Sequence, residues 1–200
     1  MITIAIAGTA GRKDDAARLT RALYQECQEK LLATLEEIGE PRHLVSGGAA
    51  YADHLAVRLF LKGKAEKLTL HLPCAWAGTK FADTGVFDWK TNPGGTANAL
   101  HRKFQANTGI ESFKELAAAI ANPNCTTTVS PGFHARNALM AKANALVALT
   151  FGRRNAVKDG GTANTCRSYL DNVRRAQLPD LSFHIDLSRQ PLVAYKGILA

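Results

Sequence analysis

Three short turns concentrate the residue types that grip an anion. The first is Gly8-Thr9-Ala10-Gly11-Arg12, the second Ser46-Gly47-Gly48-Ala49, and the third Asp159-Gly160-Gly161-Thr162. Glycine lacks a Cβ, so a chain rich in it brings its backbone N–H groups close to a ligand. Thr9, Ser46, Thr162 and Thr165 add hydroxyls, and Arg12 adds a two-pronged donor suited to phosphate. Asp53, a few residues beyond the second turn, and Arg136-Asn137, following Gly132, complete the candidate ligand-binding residues. The chemistry expected of them is the holding of a phosphate or sugar-phosphate, and no residue stands out as catalytic.

Other patterns offer less. None of the turns fits GxGxxG or GxxxxGK[ST], so neither an ordinary dinucleotide site nor a P-loop is expected. Asp53 and His54 are neighbours and would point to different faces of a helix, so a general-base pair is not expected of them. Asp83 and Asp88 could supply an acid or a base at the mouth of a cleft. Cys27, Cys74, Cys125 and Cys166 have no CxxC spacing, which argues against a zinc site or a disulfide framework and for a reducing cytoplasm.

Those turns need elements that deliver them to one place. Short apolar runs alternate with helical patterns, which predicts an α/β fold, a single Rossmann-like domain with a mostly parallel sheet and helices on both faces. Strands are expected over residues 2–7, 43–45, 67–72, 145–151 and 181–186, the last being the final strand. The unbroken apolar run at 145–151 marks a central strand. One long helix is expected over 14–38, ended by Gly39 and Pro41, with others over 52–61, 133–143 and 161–177.

Residues 73–131 are looser. Trp76, Phe81, Phe87 and Trp89 lie among Gly, Asp and Pro, and two helices are expected over 96–105 and 110–121. This stretch reads as an insertion packed onto the domain, over a binding site. In a parallel sheet all three glycine turns fall at the carboxyl edge, where open α/β folds bind ligands.

Composition limits the function. With 46% hydrophobic and 21% charged residues the 200-residue chain suits one soluble domain, and the apolar run at its start is too short for a secretion signal or a membrane span. The formal charge of +8 favours anionic partners. A nucleotide or nucleotide-derived small molecule is the expected partner, with weak nucleic-acid binding and a homo-oligomer as open alternatives; the cofactor is unknown and no membrane partner is expected.

The segment VSGGAAYADHLAVRLF resembles the SGGA-x-G-x-D-x-x-A signature of the SLOG superfamily of Rossmann-like domains, which includes DprA/Smf proteins, LOG-type phosphoribohydrolases and putative molybdenum-cofactor carriers. The YspA-like branch is the most similar, through Gly8 to Arg12, Ser46 to Asp53, and Gly132-Phe133-His134-Ala135-Arg136-Asn137 followed by Ala143-Asn144-Ala145-Leu146. The resemblance implies nucleotide binding by these turns. Tyr51 stands where the family usually has glycine, and the LOG motif PGGxGTxxE has as its counterpart Asp159 to Arg167, without the glutamate that supports N-glycosidic cleavage.

Three functions are thus expected in order. A sensor or binding protein for a nucleotide or nucleotide-derived phosphosugar leads. An enzyme cleaving an N-glycosidic bond with a carboxylate of the insertion follows, and a DprA-like nucleic-acid-binding protein, suggested by the charge, is third.

Overall fold

A computed structural model of the chain describes residues 1–40, 42–86, 88–157 and 160–199. Pro41, Phe87 and Asp159, used above as a helix stop, an aromatic residue and the head of the third turn, lie outside the described residues.

Seven strands among the described residues form one sheet. They are β1 (Ile2–Gly8), β2 (Arg42–Ser46), β3 (Lys67–Leu72), β4 (Cys125–Val129), β5 (Ala145–Thr150), β6 (Ser182–Asp186) and β7 (Val193–Lys196), in the order β4-β3-β2-β1-β5-β6-β7. All neighbours are parallel except β7, which runs antiparallel to β6. The protein is therefore an α/β Rossmann-like domain, as the alternation of apolar runs and helical patterns predicts. Strand order moves outward from β1 to β4 on one side and from β5 to β7 on the other, so direction reverses between β1 and β5. That reversal opens a crevice at their carboxyl ends.

Side-chain alternation sorts the two faces. Ile4 and Ile6 of β1, with Val147 and Leu149 of β5, enter a large core with α2 (Arg21–Ile38), α3 (His54–Leu61), α4 (Pro93–Thr108) and α5 (Ser112–Ala121). Ala5, Ala7, Leu146 and Ala148 turn to the other face, against α6 (Gly132–Met140) and α7 (Gly161–Ala176). Every residue of β5 is buried, because apolar side chains serve both layers.

Three expectations need correction. The single helix over 14–38 is two, α1 (Asp15–Arg18) and α2, broken where Thr20 takes an extended conformation and its hydroxyl accepts the Leu23 N–H at 3.2 Å. The apolar spacing runs through the break because Leu19, Leu23 and Cys27 enter the same core, whereas the N-cap chemistry of threonine decides the boundary. The stretch read as an insertion contains β4, whose threonines are exposed along a sheet edge, so no apolar run announces it. Finally, the strand at 182–186 is followed by the partly exposed β7.

Within 73–131, α5 packs on α3 and β4, and α4 on α5 and α2, in the same core layer. Phe104 of α4 meets Tyr24 and Tyr51 at ring-centroid distances of 4.9 and 4.7 Å.

Candidate ligand-binding site

β1 ends so close to β5 that only glycine fits. A Cβ on Gly8 would stand 2.3 Å from the Leu149 carbonyl oxygen and 2.4 Å from Ala52 Cβ. Thr9 continues the approach, its N–H donating to Leu149 O at 2.9 Å and its hydroxyl to Asp15 Oδ2 at 2.9 Å. Arg12 and Lys13 then project as exposed cations.

The second turn is organised around a buried ion pair. Arg136 of α6 places Nη2 at 3.7 Å from Asp53 Oδ2 and donates from Nη1 to the Gly47 carbonyl. A Cβ on Gly47 would collide with that guanidinium at 2.6 Å and with the Asp53 carboxylate at 2.7 Å. Burial pushes the Asp53 carboxyl above its usual range, while Arg136 and the N–H groups of Ala49, Gly8 and Gly47 hold it back. Burial likewise lowers the pKa of Arg136, opposed by Asp53 and reinforced by Arg12. Among the described residues Asp53 Oδ2 and Arg136 Nε have no hydrogen-bond partner.

The third turn supplies a helix end. Gly160 occupies the N-cap of the 16-residue α7 with φ of 112°, and among the described residues no side chain caps the helix there. First-turn N–H groups lack intrahelical partners, and the helix dipole adds positive potential. Asn137 Nδ2 and Thr165 Oγ1 both donate to the Gly161 carbonyl at 3.1 Å, pinning that end of the helix to α6.

These pieces surround one cavity of about 400 Å³ in the crevice between β1 and β5. Gly8, Thr9 and Arg12 line it from the first turn, and Ala49 and Asp53 from the second. Arg136 and Asn137 join from α6, and Gly160, Gly161, Thr162 and Thr165 from the third turn. Four expected residues do not line it. Gly11 packs under the Tyr51 ring, where a Cβ would be 2.4 Å from Cε2. Ser46 uses its hydroxyl internally, donating to Asp53 O at 2.8 Å and accepting from Gly48 N–H at 3.2 Å. Gly47 seats the ion pair, and the Gly48 carbonyl accepts from His101 Nε2 at 3.0 Å. Gly48 instead borders a small cavity of about 20 Å³ beside the main one.

The sequence reading also missed wall residues: Ala7, Ala10, Lys13, Asp15, Met140 and Thr150. Thr150 carried a usable signal, a hydroxyl at the carboxyl end of the central strand. It faces His184 Nε2 at 2.8 Å, and His184 Nδ1 bonds the Arg154 carbonyl. Burial lowers the His184 pKa, which suits a neutral ring donating from Nδ1 and accepting the threonine proton at Nε2.

Other candidates fall outside. His54 is fully buried, pairs with Glu115 Oε2 at 2.7 Å and does not line the cavity. Asp83 accepts from Asn92 and Gly85, and Asp88 from Lys90 and Thr91, so both are tied into their own loop and neither lines the cavity. No cluster of His, Cys, Asp and Glu suited to a metal occurs among the described residues, and no helix among them is long and apolar enough to cross a membrane. The cavity thus combines a helix start with glycine at its N-cap, two exposed cations and two buried carboxylates, Asp15 and Asp53, an arrangement able to bind an anion and to accept hydrogen bonds from hydroxyls.

Fold and crevice together define a Rossmann-like α/β protein with its pocket at the strand-order reversal. No protein-family model matches the chain, and no solved structure matches it significantly. A curated relative, the uncharacterized protein R261 of Acanthamoeba polyphaga mimivirus, is 33% identical over 177 residues, covering 86% of this chain and 92% of the viral protein. The chain belongs to the same family as that viral protein.

Proposed function

We propose that the protein binds a nucleotide or nucleotide-derived phosphosugar in this cavity and acts as a binding or sensing protein. The observation that carries the reading is the N-terminus of α7, with glycine at its N-cap, opening into the same cavity that Arg12 lines. Backbone N–H groups at a helix start bind phosphate, and a guanidinium adds a charge-assisted contact. The cavity volume falls within the range of small-molecule sites. The resemblance to SLOG domains and the basic charge support the same reading.

Cleavage of an N-glycosidic bond has less support, since the insertion carboxylates Asp83 and Asp88 do not line the cavity. Binding of the protein to AMP and to adenosine, followed by isothermal titration calorimetry, tests the proposal. AMP should bind and adenosine should bind at least tenfold more weakly. Arg12→Ala should lower AMP affinity about tenfold or more, since a hydrogen bond to a charged group contributes about 1.5–3 kcal/mol. Arg175→Ala, on an exposed residue in the last turn of α7, should leave it unchanged. Equal affinity for AMP and adenosine overturns the phosphate reading.

A further inference from the structure

A run of aromatic rings leads away from Arg12 through Phe133, which lines the small cavity, to Trp89 and His134, which line neither cavity. Phe133, in the first turn of α6, has the guanidinium of Arg12 at 5.6 Å and that of Arg136 at 5.2 Å from its ring centroid. Both arginines also line the main cavity. Trp89 stands next to Phe133, its ring centroid 6.4 Å away, and His134 lies 6.1 Å from Trp89 on the same side. Lys90 Nζ is 5.6 Å from the Trp89 ring.

Phe133 is buried, but Trp89 is 43% exposed and His134 is exposed. Trp89 therefore presents part of its indole to solvent beside Lys90, a π-face on which a planar group can stack. The small cavity beside the main one is walled by Phe133, Phe81, Leu100 and Pro73 and shares Ala10, Arg12, Ala49 and Arg136 with it. Arg12 is thus the hinge between an anion-binding end at α7 and an aromatic end at Trp89. Nucleotides have the same polarity, with an anionic phosphate at one end and a flat π-system at the other.

We infer that Trp89 and His134 form the base subsite of the cavity, on which the planar heterocycle of a bound nucleotide stacks while its phosphate lies toward α7. The subsite rests on the nucleotide reading proposed above. Phe133 is its buried support, the ring next to both Trp89 and the Arg12 guanidinium. Stacking on an open ledge tolerates any base, because each has a π-face, so recognition here selects for the presence of a base and not for its identity.

Calorimetric titration of the full chain with AMP and with ribose 5-phosphate, which lacks the base, tests this. The parent protein should bind AMP about tenfold more tightly than ribose 5-phosphate. Trp89→Ala should erase that difference by weakening AMP alone, and Trp89→Phe should restore most of it. Trp89 is surface-exposed, so the substitution leaves the core intact. In a Trp76→Phe protein, where Trp89 is the remaining tryptophan, AMP should quench the emission and ribose 5-phosphate should not. If both probes bind the parent and Trp89→Ala alters neither affinity, the ledge is overturned and the phosphate site stands. Binding of ribose 5-phosphate as tightly as AMP has the same meaning. If neither probe binds the parent, the nucleotide reading itself fails and the subsite with it.

Discussion

Arg136 and Asp53 meet beneath the second glycine turn, Nη2 to Oδ2 at 3.7 Å, with both side chains withdrawn from solvent. Removing one member leaves the other charge buried and alone. Asp53→Ala and Arg136→Ala should therefore each cost about 3–5 kcal/mol. The double replacement Asp53→Leu with Arg136→Met should cost much less than the sum of the singles. Urea unfolding of all variants closes the cycle, and strict additivity would show that the two charges are not coupled.

Two glycines near the cavity should respond differently to a methyl group. Gly8→Ala drives a Cβ into the Leu149 carbonyl and Ala52, both held by the sheet, and should cost roughly 1–3 kcal/mol. Gly161→Ala meets only Asn137 Nδ2 at 3.5 Å, an ordinary contact, in the first turn of a helix that favours alanine. Its stability should stay within about 0.5 kcal/mol of the parent or rise. Thermal unfolding distinguishes the two, at about 2–4 °C of Tm per kcal/mol for a chain of this size.

Stability should fall on mild acidification, and histidines should be the reason. Burial lowers the pKa of His101 to about 3, and also lowers those of His54 and His184. Each folded-state pKa lies below the unfolded value near 6.5, so the unfolded chain binds more protons in between. The contribution of these rings is complete above about pH 6.5 and is lost as pH drops toward 3. The urea midpoint should decline between pH 6.5 and 5.5, and the decline should be smaller in His101→Gln. Identical slopes in both proteins would assign the effect elsewhere.

The +8 charge should give weak association with nucleic acid and no more. Fluorescence anisotropy with a short DNA duplex should show affinity at low salt that vanishes near physiological ionic strength, with a log–log slope of about −0.9 per phosphate contacted. Tight binding that survives 0.2 M salt would instead favour the DprA-like reading.

What the sequence discloses about this fold depends on how local the cause is. β5 is legible because both its faces are buried, so its residues are apolar without interruption. β4 is illegible by the same rule, since an edge strand with exposed threonines needs only its neighbour β3 to form. At the site, the helix start at Gly160-Gly161 and the turn at Gly8 follow from chemistry within a few residues. Gly47 does not: a Cβ there would meet Arg136, 89 residues away, and only the folded chain shows that it seats an ion pair and stands outside the cavity lining. Asp53 reads as a ligand contact and proves to line the cavity while also neutralising Arg136.

The position of β1 between β2 and β5 has a consequence for synthesis on the ribosome. Gly8 and Arg12 leave the exit tunnel early, whereas Leu149, across from Gly8, and the start of α7 emerge only after most of the chain. A nascent chain can pair β1 with β2 and β3 yet carries an open strand edge where β5 will insert, a surface on which such intermediates aggregate. The pocket has no far wall until α7 is translated. Any ligand bound there would stabilise only chains that have passed α7, by mass action, and would do nothing to rescue chains stalled before that point.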